Sequence, residues 1–281
     1  MRPQLWGRNL LVFVPMILAH AVGERSAWIS ALFMFLALCA TASGTYLLND
    51  LADLAADRRH ARKCNRPLAS GTLSIATGIA MAVGLIALGV AIAASLNALP
   101  LILVYVLASV AYSFLLKEFP FVDVIILAGL STLRVLAGGW ATGHAVSFWL
   151  LAFFGFLFLS IALMKRADEM IGAARIGSDP VVPRRGYRPR DVWLLQILGY
   201  TATLASGITL AVFLASSAGL GLYWSPDLLW GLVPLILFWQ GRLWLAAVHG
   251  QMHDDPIVFV ARDWASWLVV ACVFVLFVAA Y

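Results

Sequence analysis

Residues 49–67, NDLADLAADRRHARKCNRP, bring together much of the charge of an otherwise apolar chain. Asn49, Asp53 and Asp57 follow one another at intervals of four residues, and Asp50 lies beside the first of them. A helix has about 3.6 residues per turn, so these four side chains share one face. Carboxylates on one stripe repel each other unless a cation neutralises them, and hard oxygen ligands suit Mg²⁺, which is often shared with substrate phosphates. We therefore predict that all four residues bind Mg²⁺ and that the three aspartates are catalytic.

A basic segment follows this acidic stripe directly. Its cations are Arg58, Arg59, Arg62, Lys63 and Arg66. The planar guanidinium group of arginine matches phosphate oxygens. Acids, a metal and bases in this order predict a site that holds a diphosphate and lets it leave, with Lys63 and Arg66 binding the diphosphate. The alternative is a solvated helix end whose aspartates pair with the adjacent arginines.

The composition excludes a soluble domain. Of the 281 residues, 63% are hydrophobic and 12% are charged, whereas a soluble chain carries about 25% charged residues. Apolar runs of roughly 20 residues, the length that spans a bilayer core, recur along the whole chain. We therefore expect an all-α, polytopic membrane protein that forms a single integral-membrane domain over residues 1–281. The nine predicted spans cover residues 9–23, 27–50, 72–95, 98–116, 121–142, 147–165, 192–216, 227–247 and 263–280.

The distribution of lysine and arginine predicts the orientation of the chain. If the N-terminus lies inside, all of the 19 lysines and arginines except Arg25 and Arg134 fall in inner segments. Positive residues concentrate in the cytoplasmic loops of membrane proteins. We expect a bacterial inner-membrane protein whose N-terminus and active site face the cytoplasm. The net charge of +5 then reflects membrane orientation and an anionic substrate, and the sequence shows no nucleic-acid-binding motif.

Two basic residues outside the first segment are further candidates. Lys117 is predicted at a helix end, where it could act as a catalytic phosphate anchor; the alternative is a lysine that extends to the membrane interface. Arg134 falls well inside the fifth predicted span. A buried arginine needs an anionic partner. Asp123, Asp53 or a substrate phosphate could serve, and a purely structural ion pair is the alternative.

Two loops on the same predicted side carry further polar residues. In the loop 251–263, Asp254 and Asp255 could bind a metal or a ribose hydroxyl, and His253 could act as a general base. We prefer the simpler interpretation that this loop closes the mouth of a cavity. The loop 172–190 contains several arginines, and we expect it to hold anionic headgroups or to cover the active site.

A resemblance to a known family rests on the first segment. Asn49-Asp50-x-x-Asp53-x-x-x-Asp57, followed by Arg66-Pro67-Leu68-Ala69-Ser70-Gly71, resembles the first motif of the UbiA superfamily of intramembrane prenyltransferases. The motif is long and specific, the nine predicted spans match the fold of that family, and the resemblance covers essentially the whole chain. It implies a helical bundle whose central cavity opens toward the cytoplasmic side and laterally toward lipid. It also implies that Mg²⁺ bridges the aspartates and a diphosphate.

The second aspartate-rich motif of better-known members is missing. The corresponding stretch reads Met164-Lys165-Arg166-Ala167-Asp168-Glu169, without a DxxxD pair. The chain more closely resembles the branch that makes polyprenyl-phosphoryl phosphoribose. This resemblance rests on the stretch 164–169, the segments 112–117 and 134–139, and Asp123. Lys165, Arg166 and Glu169 could grip a second anionic group, and the alternative is a helix end in water. The predicted substrate-binding residues are Asn49, Lys63, Arg66, Tyr112, Asp123, Arg134, Lys165, Arg166 and Glu169.

Three functions are compatible with these residues. The first is transfer of phosphoribose from phosphoribosyl diphosphate to a polyprenyl phosphate, which the missing second motif favours. The second is transfer of a prenyl group from a polyprenyl diphosphate to an aromatic or quinone-precursor acceptor. The third is a membrane transporter, although transporters place their acids near the bilayer midplane, whereas this acidic stripe lies at the end of a predicted span.

Overall fold

The computed structural model describes residues 3–59, 63–175, 186–216, 223–252 and 256–280. Every regular element within these ranges is a helix, so the all-α prediction is confirmed for them. The α-helices are α1 (Val14–Leu18), α2 (Arg25–Ala52), α3 (Leu54–Asp57), α4 (Ile75–Ser95), α5 (Leu99–Phe114), α6 (Val122–Thr142), α7 (Phe148–Arg175), α8 (Val192–Ala215), α9 (Leu232–Val248), α10 (Pro256–Arg262) and α11 (Trp264–Ala280). Short 3-10 helices cover Pro3–Phe13, Ala21–Gly23, Lys63–Asn65, Leu116–Glu118, Pro189–Asp191 and Pro226–Gly231.

Six helices in the described ranges are long and apolar enough to cross a membrane. They cover Arg25–Ala52, Ile75–Ser95, Val122–Thr142, Phe148–Gly172, Pro189–Ala215 and Pro226–Val248. The other three predicted spans coincide with shorter apolar helices at Trp6–Leu18, Leu99–Phe114 and Trp264–Ala280. These three fall below the roughly 20 residues that cross a bilayer core without tilt or thinning. The chain is an integral membrane protein, and the count of nine crossings stays a prediction.

Large apolar side chains on the outer helix faces agree with a lipid environment. Leu107, Ile208 and Phe274 are 68%, 64% and 68% exposed. Exposed apolar surface of this extent is unfavourable in water and neutral against lipid tails. The membrane therefore completes the burial that the chain itself does not supply.

The helices form two compact units. The first consists of Met1–Lys117 and Leu133–Val146, and the second of Glu118–Thr132 and Ser147–Tyr281. In the first unit α2 packs against α4 and α5, and in the second unit α7 packs against α8 and α9. Helix α6 begins in the second unit and ends in the first. The prediction of a single domain over residues 1–281 stays a prediction.

Close packing of α2 against α4 fixes the helix that ends in the acidic stripe. A Cβ atom on Gly44 would lie 2.7 Å from the backbone oxygen of Ala82, and one on Gly89 would lie 2.6 Å from the backbone oxygen of Ala37. Small residues let membrane helices approach closely, which matters because lipid tails leave no hydrophobic driving force between helices. The two glycines therefore hold α2 in place by van der Waals contact along its length.

The predicted end of the sixth span was wrong. That span was expected to stop at residue 165, but α7 continues to Arg175. Lys165 and Arg166 consequently lie inside a helix and not at its end. The reason is that Arg166 pairs with Glu169 one turn further along, so the charged residues support the helix rather than terminate it.

Candidate active site

The acidic stripe spans a break between two helices. Helix α2 ends at Ala52, Asp53 adopts φ −94° and ψ 3°, and α3 begins at Leu54. The backbone N–H of Asp53 still donates to the oxygen of Asn49 at 3.0 Å, and that of Asp57 donates to the oxygen of Asp53 at 2.8 Å. The helical spacing of the predicted stripe therefore continues through the break. The side chains of Asn49 and Asp53 meet directly, with Nδ2 of Asn49 donating to Oδ2 of Asp53 at 3.2 Å.

Arg66 joins the two outer aspartates of this stripe. Its Nη1 atom lies 3.2 Å from Oδ1 of Asp50 and 2.5 Å from Oδ2 of Asp57. The loop places Arg66 by folding back on itself, since the N–H of Ser70 donates to the oxygen of Arg66 at 2.8 Å. Leu68 anchors the loop, because it is buried in a cluster with Leu47 and Ala82.

Lys117 pairs with the remaining aspartate. It lies on the 3-10 helix Leu116–Glu118 after α5, and its Nζ atom is 2.7 Å from Oδ1 of Asp53. Lys117 is only 6% exposed. The structure thus places Lys117 beside a predicted metal ligand and buries its side chain. We call Asn49, Asp50, Asp53, Asp57, Arg66 and Lys117 the first cluster.

The donor set of the first cluster fits Mg²⁺ by its chemistry. Carboxylate and amide oxygens are hard ligands, and Mg²⁺ usually takes only one or two carboxylates together with waters and substrate phosphates. The carboxylates face the two cations instead of a common centre. Within the described ranges, no three His, Cys, Asp or Glu side chains converge closely enough to hold a metal ion. A metal would therefore complete its coordination with substrate oxygens.

A second cluster lies in the second unit around Asp123, which is fully buried. Nε of Arg166 donates to Oδ2 of Asp123 at 2.6 Å, and the hydroxyl of Tyr187 donates to Oδ1 at 2.6 Å. Nη1 of Arg166 also donates to Glu169 at 2.8 Å. The structure brings three predicted substrate-binding residues together here. It also shows that Arg166, at 1% exposure, is held between two carboxylates.

Tyr187 was missed by the sequence analysis. Its hydroxyl accepts the backbone N–H of Phe121 at 2.6 Å while it donates to Asp123. Burial and the hydrogen bond to the Asp123 carboxylate raise the pKa of the Tyr187 phenol well above its ordinary value. Tyr187 therefore keeps its proton at neutral pH. The sequence offers one weak signal, the glycine at position 186 just before Tyr187. In the structure Gly186 adopts φ +65°, a conformation that glycine adopts at no steric cost.

Arg134 lies in a third group within the first unit. Its Nε donates to Oδ1 of Asn9 at 2.8 Å, and its Nη2 donates to the hydroxyl of Tyr105 at 2.9 Å. The sequence favoured an anionic partner for Arg134, whereas these partners are neutral. Nearby, a Cβ on Gly138 would lie 2.1 Å from the backbone oxygen of Val12. The stretch 134–139 thus docks α6 against the N-terminal segment, which points to a structural role.

The other predicted residues are placed less decisively. Lys63 lies half-buried in the 3-10 helix Lys63–Asn65, Tyr112 is half-buried on α5, and Lys165 is half-buried on α7. His253, Asp254 and Asp255 lie outside the described residues, as do residues 176–185 of the basic loop. At the end of the loop 251–263, Asp263 accepts hydrogen bonds from Arg242 at 2.5 and 2.8 Å, and it also accepts the N–H of Ser266 at 2.9 Å.

Residues 10–252 match the family model of the UbiA prenyltransferase family. The chain belongs to the UbiA prenyltransferase family. Members of this UbiA family are membrane transferases, so the transporter hypothesis is set aside. The predicted resemblance is confirmed at the level of the family.

The chain is similar to two curated relatives. It is 36% identical over 284 residues to the uncharacterized protein y4nM of Sinorhizobium fredii, an alignment that covers 100% of this chain and 55% of that protein. It is 33% identical over 220 residues to the decaprenyl-phosphate phosphoribosyltransferase of Corynebacterium glutamicum, covering 73% of this chain and 64% of that enzyme. The chain thus spans between about half and two thirds of the length of these relatives.

A solved structure shares the fold. The UbiA homolog from Archaeoglobus fulgidus bound to GPP and Mg²⁺ superimposes with a TM-score of 0.73 at 17% identity, covering 98% of this chain and 97% of that one. At this identity the likeness establishes the UbiA-like fold of the chain.

Proposed function

We propose that this UbiA-family protein transfers phosphoribose from phosphoribosyl diphosphate to a polyprenyl phosphate in a Mg²⁺-dependent reaction. The observation that carries the proposal is the first cluster, in which three carboxylates meet the cations of Arg66 and Lys117. Preorganised charge of this kind stabilises a diphosphate as it leaves. The phosphoribosyl branch is supported by the relative named decaprenyl-phosphate phosphoribosyltransferase.

Asn49, Asp50, Asp53 and Asp57 would hold Mg²⁺. The ion, when bound, would neutralise the charge that develops on the leaving diphosphate. Arg66 and Lys117 donate hydrogen bonds to three of these residues, Asp50, Asp57 and Asp53. Lys63 lies half-buried in the same loop as Arg66, and we assign it a supporting contact to the diphosphate.

The reaction needs little proton transfer. An oxygen of the lipid phosphate forms a bond to the anomeric carbon of the ribose, and the bond from that carbon to the diphosphate oxygen breaks. The diphosphate leaves with the bonding electron pair. Because the lipid phosphate is already ionised at neutral pH, no residue has to act as a strong general base. The work of the protein is to orient the two anions and to stabilise the leaving group.

In the second unit we assign Lys165 to an anionic group of a substrate. Lys165 is half-buried on the same helix as Arg166. Arg166, Asp123 and Tyr187 hold one another, so we assign them to the support of this segment. The concentration of lysine and arginine in alternate loops supports a bacterial inner-membrane location with the N-terminus and the first cluster on the cytoplasmic side.

Prenyl transfer from a polyprenyl diphosphate to an aromatic or quinone-precursor acceptor is the second candidate. The A. fulgidus homolog that shares the fold was solved with GPP and Mg²⁺. In this reaction the same first cluster would release diphosphate from an allylic carbon. The two functions therefore share the diphosphate site and differ in what is bound beside it.

The test offers both substrate pairs to the purified full chain in detergent with Mg²⁺. One reaction contains labelled phosphoribosyl diphosphate and polyprenyl phosphate, and the other contains polyprenyl diphosphate and 4-hydroxybenzoate. Asp53→Asn removes a ligand of the first cluster, and Asp227→Asn makes the same change at an exposed residue of the 3-10 helix Pro226–Gly231. We expect lipid-linked phosphoribose from wild type and Asp227→Asn, and at least about a hundredfold less from Asp53→Asn, the scale for removing one electrostatic contact to the transition state. Prenylated 4-hydroxybenzoate in its place would overturn the phosphoribosyl proposal in favour of the second candidate.

A further inference from the structure

We propose that Arg66 and Lys117 are exchangeable counter-cations of the first cluster. They neutralise the carboxylates before the substrate arrives. When the carboxylates bind the metal, the two side chains release them and bind the diphosphate. Metal and diphosphate then bind cooperatively, and each binds weakly alone. This inference rests on the metal–diphosphate site of the proposed function, but it does not depend on which second substrate is used.

The pairing of charges is the first observation. Asp50 and Asp57 share Nη1 of Arg66 at 3.2 and 2.5 Å, and Asp53 holds Nζ of Lys117 at 2.7 Å. All three aspartates of the motif therefore have a cation of the chain within hydrogen-bond distance. A divalent metal that binds these oxygens competes directly with that cation.

The orientation of the carboxylates is the second observation. Among the described residues, no three potential ligands converge on a common point. The aspartates are turned toward the two cations, so at least one carboxylate has to leave its present partner before three of them can share a metal. Metal binding and the release of Arg66 or Lys117 are thus parts of one rearrangement.

The burial of Lys117 turns this release into an exchange. Its side chain is 7% exposed and that of Asp53 is 22% exposed. An ammonium group that loses its carboxylate at such a site remains buried without an anion, which is strongly unfavourable. Lys117 therefore keeps Asp53 until another anion takes its place. The oxygens of a diphosphate supply that anion within the same cluster.

The reverse argument applies to the diphosphate. Without a metal it would bring its negative charge against three carboxylates, whose two cations are already engaged. With a metal the carboxylates are neutralised, and the two cations become donors to the diphosphate. Because coupling between two ligands is reciprocal, each ligand must strengthen the other by the same factor.

The test measures binding alone, so it is independent of turnover. Mn²⁺ replaces Mg²⁺ as the probe, and free Mn²⁺ is counted by its EPR signal in titrations of the full chain in detergent. Lys117→Gln and Arg66→Gln remove one counter-cation each. Arg59→Gln removes an equal charge from an exposed residue whose Nε donates to the backbone oxygen of Ala55. It controls for the general effect of charge on metal binding.

We expect Lys117→Gln to bind Mn²⁺ alone about tenfold more tightly than wild type, the effect of removing one competing charge at close range. Arg66→Gln should behave likewise, and Arg59→Gln should change the affinity by less than about twofold because exposed charges are screened. In a second titration, labelled inorganic diphosphate is dialysed against wild type. We expect its binding to be at least tenfold tighter with Mn²⁺ than without, and this gain should shrink in Lys117→Gln.

The outcomes separate this inference from the proposed function. Weaker Mn²⁺ binding by both variants than by Arg59→Gln would show that the cations are a fixed scaffold for the ligands, and the exchange would be wrong. Diphosphate that binds wild type equally well without metal would also overturn it, even if neither variant folds. Absence of any diphosphate binding with Mn²⁺ would instead refute the metal–diphosphate site on which the proposed function depends. Thermal unfolding of each variant shows that the binding data come from folded protein.

Discussion

Tyr187→Phe should destabilise the protein strongly for a change of one oxygen atom. The hydroxyl of Tyr187 donates to Oδ1 of Asp123 and accepts the N–H of Phe121, both at 2.6 Å. Tyr187 is 1% exposed and Asp123 is fully buried, so water cannot replace the lost contacts without entering the second cluster. The ring of Phe121 packs edge-on against the ring of Tyr187, with the ring centroids 6.0 Å apart. A phenylalanine at position 187 would keep that contact.

The magnitude follows from the two bonds. A hydrogen bond to a charged group contributes about 1.5–3 kcal/mol, and a backbone N–H left without its acceptor adds about 1 kcal/mol. We therefore expect Tyr187→Phe to lower the free energy of unfolding by roughly 2.5–4 kcal/mol. The pKa of the Tyr187 phenol is raised above the value of about 10 for an unperturbed tyrosine. The hydroxyl therefore keeps its proton and donates its hydrogen bond from pH 6 to pH 9. We expect Tyr187→Phe to lower the free energy of unfolding by the same amount across that range.

The assay is denaturant-induced unfolding of wild type and variants in the same detergent. Tyr200→Phe is the matched control, because Tyr200 is 43% exposed on α8 and loses the same atom. We expect that control to stay within about 0.5 kcal/mol of wild type, as surface substitutions usually do. Equal stabilities for the two variants would refute the assignment of Tyr187 as the support of Asp123.

Two further predictions concern the packing of Gly138 and the ionisation of Asp263. Gly138→Ala should destabilise the protein by at least about 1–3 kcal/mol, the range for overpacked sites, because its Cβ would lie 2.1 Å from the backbone oxygen of Val12. Gly129→Ala is the control and should be neutral or stabilising, since its Cβ would meet nothing within 4 Å. Thermal unfolding of both variants tests this, and equal unfolding midpoints would contradict it. Burial alone would raise the pKa of Asp263, but hydrogen bonds from Arg242 and Ser266 outweigh it and lower that pKa. Its contribution to stability is therefore present above about pH 4 and is lost as the pH falls through the lowered pKa. Asp263→Asn should accordingly be less stable than wild type at pH 7, and the difference in unfolding midpoint should shrink below pH 4; a constant difference would show that ionisation of Asp263 is irrelevant.

The first cluster could be predicted from the sequence because most of it is local. The spacing of Asn49, Asp53 and Asp57 defines a helix face by itself, and the backbone bonds continue that face through the break at Asp53. Arg66 was a candidate from the sequence because it lies in the same segment. Lys117 is separated from Asp53 by 64 residues. The sequence indicated it as an anion anchor, and only the packing of α5 shows that its partner is an aspartate of the motif.

Contacts between distant residues account for what the sequence missed. Arg134 and Asn9 are 125 residues apart, and no periodicity links an amide near the N-terminus to an arginine in α6. The depth of Arg134 predicted an anionic partner, whereas the described partners, Asn9 and Tyr105, are neutral. Tyr187 lies in the basic loop 172–190, just before the 3-10 helix Pro189–Asp191, where tyrosine has no distinctive pattern. The length of α7 was underestimated because charged residues after an apolar run resemble a helix end when their mutual pairing is unknown.

The concentration of charge in residues 49–66 has a physical reason in the first cluster. Cations alone would hold a diphosphate tightly and oppose its release, while carboxylates alone would repel it. With Arg66 set between Asp50 and Asp57, and Lys117 on Asp53, the cluster carries only one more negative than positive charge, which limits the unfavourable burial of charge beside a membrane. In the proposed reaction a divalent metal would offset part of the negative charge of the diphosphate, and loss of either ligand would return the carboxylates to their own cations. Release of the product diphosphate would therefore be aided by the contacts that the structure already contains.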